Sequence, residues 1–175
     1  MENITLPDGH CFRVRELENG EELPIRQLLA GVGPRSWRFR FHSPLSKAPD
    51  HLVRLLASVD HIRRVALVAE HDTGTATETV ALANFAAIDD DGGAELGLVV
   101  RDDWQRRRLG SELAIRLLQS AEGRGYHRFV AYTMPDNAAI QRLLRHVRIV
   151  ARSFGAGFAR LEFVARPAEA GESFE

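Results

Sequence analysis

The chain has one cysteine, Cys11. That excludes an intramolecular disulfide and any zinc centre built on thiolates. Long apolar runs are missing too, since none reaches the ~18 residues of a membrane-spanning helix. The opening MENITLPDGH lacks the basic-then-apolar layout of a secretory signal. A cytoplasmic protein is expected by default. Neither sign of charge is in excess: 23 Lys+Arg face 24 Asp+Glu, a formal net charge of −1. No global field therefore draws in nucleic acid or an anionic membrane. The seven histidines show no paired ligand spacing, so no metal site is expected. A Ser-His-Asp constellation, a phosphate-loop lysine and internal repeats are absent as well.

What is present suits one α/β domain. The chain has 175 residues, 45% apolar and 27% charged, long enough to bury a proper core. Residues 1–10 read as a loose arm with a turn at Pro7-Asp8-Gly9, residues 11–166 as the domain, and residues 167–175 as a disordered tail. Cys11 to Arg15 alternates like a strand, with Cys11 expected as a buried structural thiol beside Phe12 and Val14. Asn19 and Glu22 have the spacing of a capping box, and Leu23, Gln27 and Ala30 follow on one helical face. Trp37, Phe39 and Phe41 form a short aromatic stretch, and Pro49-Asp50 opens a second helix. Three apolar segments then read as an antiparallel meander, 65–69, 79–87 and 96–100, joined by polar turns.

The most informative stretch is LGLVVRDDWQRRRLGSELAIRLL, residues 96–118. A strand enters a basic, Gly-containing turn, and the turn enters a helix with Leu109, Leu113, Leu117 and Ala121 on one face. The turn's N–H groups and the free N–H groups of the first helical turn make an anion site suited to a diphosphate. The plainer reading is a solvated basic turn that starts an ordinary helix. A strand at 129–132, a helix opened by Pro135-Asp136-Asn137 and running to about His146, and a closing hairpin around Gly155 and Gly157 complete the order. The strand–helix–strand unit at the centre is expected to pair in parallel beside the meander.

The 96–118 stretch resembles the acetyl-CoA-binding core of the GCN5-related N-acetyltransferases (GNAT), with a Gln/Arg-x-x-Gly-x-Gly/Ala signature. Gln105 fits the first position and Gly110 the last, while Arg108 stands where the first glycine is expected. If that position demands positive φ, an arginine there costs ~1 kcal/mol or more. The segment WRFRFHSPLSKAPDHLVRLLASVD and the run AELGLVVRDDWQ look like the corresponding parts of bacterial protein-lysine acetyltransferase domains. The resemblance covers residues 11 to 165 and implies a central mixed β-sheet flanked by about four helices.

It also implies roles. Acetyl-CoA would be the co-substrate and an amine, a protein lysine or a small molecule, the acceptor. Arg107, Arg108, Leu109, Gly110 and Ser111 would offer N–H groups to the pyrophosphate, and Arg106 to Arg108 would meet the 3′-phosphate. Val99 and Val100 would lend a backbone N–H to the acetyl carbonyl. Asn137 would touch the pantetheine arm, although capping its helix explains it equally well. Glu95 would be the general base, with a carboxylate near an apolar strand end expected to titrate high. Its plainer reading is a solvent-facing residue at the strand start. Leu143 stands where many members place the acidic tyrosine, so either water protonates the thiolate or it leaves unprotonated. A non-catalytic binding module with a degenerate cofactor site, and a homodimer through the aromatic segment or the final hairpin, both stay open.

Overall fold

Alternating apolar residues dominate the chain, and they build one sheet covered on both faces. The computed structural model describes residues 2–43, 48–138, 140–143, 145, 147–155 and 157–165. Ala139, His146 and the expected tail lie outside those residues. The strands are β1 (Glu2–Thr5), β2 (Cys11–Glu16), β3 (Arg64–Asp72), β4 (Thr77–Ala87), β5 (Gly93–Val100), β6 (Arg128–Thr133), β7 (Val147–Gly155) and β8 (Phe158–Ala165). The helices are α1 (Glu22–Ala30), α2 (Pro34–Phe41), α3 (Asp50–Ala57), α4 (Leu109–Glu122) and the single turn α5 (Ile140–Leu143). The spatial strand order is β1-β2-β3-β4-β5-β6-β8-β7. Among the described residues, β5 and β6 are the one pair that runs parallel, as expected of the two strands joined through α4.

The period of two decides which residues meet which helix. Phe12, Val14, Val65, Leu67, Ala81, Ala83, Phe85 and Phe129 pack on the face covered by α4. Leu17, Ala66, Val68, Leu82 and Val99 pack on the opposite face, with α1, α2 and α3. Helix α4 buries the expected stripe of Leu109, Leu113, Leu117 and Ala121, with Leu118 beside it. Each of those leucines contributes roughly 1.5–3 kcal/mol relative to exposure.

Several expectations are corrected. The first ten residues are not a loose arm: β1 pairs with β2 from Glu2↔Val14 to Thr5↔Cys11, and Ile4 and Leu6 are buried. Cys11 is exposed, because the alternation that turns Phe12 and Val14 inward turns Cys11 outward. No capping box forms at α1, where Glu21 is the N-cap without a side-chain cap bond. Glu21 is held by Arg15 instead. The buried face of α1 is Pro24, Ile25, Leu28 and Leu29, and Leu23 is exposed. The aromatic stretch is the helix α2, opened by Pro34, and Trp37 is 2% exposed within the second core.

Candidate active site

The site lies where β5 and β6 part. Their parallel pairing covers only Gly93↔Arg128, Ala94↔Phe129 and Glu95↔Val130. Beyond that point β5 stays paired with β4 as far as Val100, while β6 stays paired with β8 as far as Thr133. A cleft of about 500 Å³ opens between them, walled by Leu98, Val100, Tyr132, Ile140 and the first two turns of α4.

Backbone alternation sets what β5 offers to this cleft. Ile88 donates to the Gly93 carbonyl (3.0 Å) and the Arg101 N–H reaches the Val80 carbonyl (2.8 Å). Odd-numbered residues of β5 therefore turn their backbone toward β4, and even-numbered ones turn toward β6. The N–H groups of Leu98 and Val100 point into the cleft, beyond the last β6 partner. That of Val99 is committed to β4, and its side chain is buried on the other face. Of the two residues expected here, Val100 is placed to polarise a carbonyl. Leu98, which the sequence reading did not single out, stands beside it.

The turn comes next. A 3-10 turn (Asp102–Trp104) leads to Arg106 at φ 63 and Arg108 at φ 74, both left-handed. Among the described residues, nothing accepts from the N–H groups of Arg106, Arg107, Arg108, Leu109 or Gly110. They form the free N-terminal end of α4, where the helix dipole adds partial positive charge. Ser111 differs: its N–H already meets the Arg108 carbonyl at 2.9 Å. Gly110 keeps the helix close to β5, since a Cβ there would lie 3.3 Å from Val100 Cγ2 and 3.5 Å from Leu98 Cδ2.

The expected residues divide by where their side chains go. Arg106, Arg108, Ser111 and Asn137 line the cleft. Arg107 turns away, stacking on Trp104 (5.0 Å) and pairing with Asp8 (3.4 Å). Leu109 is wholly buried. Gln105 lines the cleft, but its amide is spent on the protein, donating to the Val100 carbonyl (2.9 Å) and to Ser36 Oγ of α2 (2.8 Å). It ties the strand end to α2 and so holds the turn in place. These donors fit a diphosphate: five N–H groups without an acceptor among the described residues run from Arg106 to Gly110, of which Arg106, Arg108 and Gly110 line the cleft, with two cations and a helix N-terminus beside them.

Glu95 lies outside the cleft. It is exposed on the α1–α3 face of β5, in a second cavity of about 220 Å³ that also holds Arg40, Asn84 and Gly97. The two cavities meet at Arg40, Leu96 and Gly97. Leu143 does line the cleft without a hydroxyl, but Tyr132 of β6 lines it too, opposite Arg160 of β8. Tyr132 and Arg40 were both missed. The aromatic spacing of α2 masked the helix that delivers Arg40, and the one usable signal was Gly97, a glycine inside a strand that marks close approach of another group. Among the described residues no cluster fit for a metal ion occurs. None of their helices is long and apolar enough to cross a membrane.

Comparison with known proteins gives a consistent picture. The family model described as "Acetyltransferase (GNAT) family" matches residues 35–147, more than half of the chain. The chain is 26% identical over 140 residues to the acetyltransferase PA5475 of Pseudomonas aeruginosa, covering 79% of this chain and 75% of that one. It superposes on the GNAT domain of S. lividans PAT with a TM-score of 0.82 and 26% identity, covering 93% and 96% of the two chains. The fold alone is shared with yncA from Salmonella typhimurium, solved with its cofactor acetyl-CoA (TM-score 0.65, 17% identity, 93% and 98% covered).

Proposed function

The chain belongs to the acetyltransferase (GNAT) family, and from that premise we propose that it transfers the acetyl group of acetyl-CoA to a primary amine, with Glu95 as the general base. The observation that carries the reading is the row of five N–H groups from Arg106 to Gly110, without an acceptor among the described residues, at the mouth of the cleft. The thioester supplies an activated acyl carbon and a good leaving group. The amine nitrogen forms a bond to that carbon, the C–S bond breaks, and the electron pair leaves on sulfur.

The protein's own groups divide the work. The N–H groups of Leu98 and Val100 face the place where the carbonyl oxygen gathers negative charge, which preorganised donors stabilise strongly. Glu95 takes the proton that the attacking amine sheds, through water, from its exposed place two residues before Gly97. Tyr132 brings a phenolic hydroxyl to the cleft wall able to return a proton to the thiolate, the role that Leu143 leaves vacant; Ser36, Ser111 and Thr133 line the cleft with weaker acids.

The expectation of a protein lysine as acceptor rested partly on the aromatic stretch, and α2 gives that stretch a packing role. Trp37 is core and Phe41 stacks against it at 4.5 Å. The acceptor is therefore argued from the second cavity, below. Glu95→Gln tests the base: kcat should fall by 10²–10⁴-fold, the usual share of a positioned base, with acetyl-CoA affinity unchanged. Unchanged kcat would remove Glu95 from the mechanism.

A further inference from the structure

Two cations line the second cavity: Arg64, whose Nη2 donates to the Leu55 carbonyl (3.0 Å), and Arg40, which meets no counter-charge among the described residues. Arg40 comes from the last turn of α2, and its guanidinium lies against β5 at Gly97, where a Cβ would collide with it. Its Nη2 donates to Asn84 Oδ1 (2.8 Å), the residue opposite Gly97 in the β4–β5 register. Its Nε is buried and, among the described residues, has no acceptor. No carboxylate among those residues lies within 4.0 Å of it. Burial pushes the guanidinium below its ordinary range, and Glu95, acting through space, opposes that shift. A half-buried cation whose Nε–H is buried and unmet is costly unless a partner arrives.

We propose that the acceptor is a small amine that also carries a carboxylate, of the amino-acid class, bound with its carboxylate on Arg40 and its amino group toward Glu95. The inference rests on the acetyltransferase reading above and adds the substrate class to it. Charge order is the first argument. The Arg40 guanidinium lies against Gly97, two residues along β5 from Glu95 on the same face, about 7 Å of strand. A zwitterion of opposite polarity matches that pair. A guanidinium also meets a carboxylate through two parallel hydrogen bonds, so the Nε without an acceptor gains one.

Size and lining point the same way. The cavity measures about 220 Å³, room for an amino acid and too little for a folded segment. Phe41, Leu52, Leu55 and Leu56 line the cavity, ready to hold an apolar side chain. A lysine of a protein chain brings an amine on four methylenes and no anion beside it, which leaves Arg40 unpaired. The cavity joins the cofactor cleft at Arg40, Leu96 and Gly97, and the amino nitrogen of an α-amino acid is two bonds from its carboxylate carbon, so a carboxylate on Arg40 keeps the amine close to the acyl end of the cleft.

The test compares matched pairs of acceptors on the unaltered protein with acetyl-CoA: leucine against 3-methylbutylamine, and phenylalanine against 2-phenylethylamine. Free thiol release gives rates and product mass identifies the amide. The carboxylate-bearing member should be favoured by about 10- to 100-fold in kcat/KM, mainly through KM, the worth of one charge-assisted contact. Arg40→Gln should abolish that preference, and Arg40→Lys, which keeps the charge, should restore part of it. Equal or better use of the decarboxylated amines, or of a lysine peptide, would overturn the inference and leave the acetyltransferase reading standing. Transfer to no amine at all, with acetyl-CoA bound, would overturn that reading as well.

Discussion

Arg108 offers the cleanest perturbation. It is the N-cap of α4 at φ 74 and ψ −11, in the left-handed region. A residue with a Cβ there costs roughly 1–2 kcal/mol. Glycine avoids that cost but gains freedom in the unfolded chain, which offsets about 0.4–1 kcal/mol. Arg108→Gly should therefore stabilise the fold by about 0.5–1 kcal/mol. For a chain of this size that raises Tm by roughly 1–4 °C. Arg108→Ala is the control, since it removes the same cation and keeps the Cβ. Calorimetric unfolding should rank glycine above alanine by that margin. Both variants should lose the same acetyl-CoA affinity, about 10- to 100-fold if the guanidinium makes one charge-assisted contact. A glycine variant no more stable than the alanine variant would refute the strain argument.

Two further outcomes follow from packing and from charge. Leu113 is wholly buried on the inner face of α4, so Leu113→Ala should cost about 2–5 kcal/mol in urea unfolding; a loss under 1 kcal/mol would show that α4 does not anchor the core. Asp89 accepts from the N–H of Gly93 (2.8 Å) and of Asp91 (3.0 Å) and pairs with Arg128 (2.7 Å), so its carboxyl titrates below the usual range, chiefly through the Gly93 N–H. A depressed folded pKa means that the unfolded chain binds more protons below about pH 4, so this contribution is complete above that pH and is lost as pH falls through the folded value. The drop in Tm between about pH 5 and pH 3 should be smaller in Asp89→Asn than in the parent, and an equal drop would contradict the assignment.

The order of β2 to β8 and the α4 stripe were legible because both rest on strong periodicity, whereas β1 was expected as a loose arm. Four leucines and alanines at helical spacing admit one face, and β3 to β5 alternate or run apolar between polar turns. The aromatic stretch was not legible. Trp37, Phe39 and Phe41 are two apart, a spacing that reads as extended, yet Pro34 at the first helical position starts a helix that buries Trp37 and leaves Phe39 half-buried. Cys11 shows the same limit at one residue: a strand was evident, but which parity faced inward depended on β1 and β3 pairing on either side.

In the site, the basic turn before α4 could be read from its residue types, whereas the direction of each backbone N–H could not. Val99 and Val100 are adjacent in sequence, and only the β4 register shows that one is spent and the other open. Arg40 lies 57 positions before Gly97, and no local pattern joins them. Their contact follows from α2 crossing the sheet, which a single sequence does not display.

The central claim is that the turn from Arg106 to Gly110 still holds a coenzyme diphosphate despite the arginine at the left-handed position. Titration of the purified protein with acetyl-CoA by calorimetry tests it most directly. Saturable binding of one acetyl-CoA per chain in the micromolar range, weakened when a bulky side chain replaces Gly110, is the expected result. No binding to the folded protein would contradict the account.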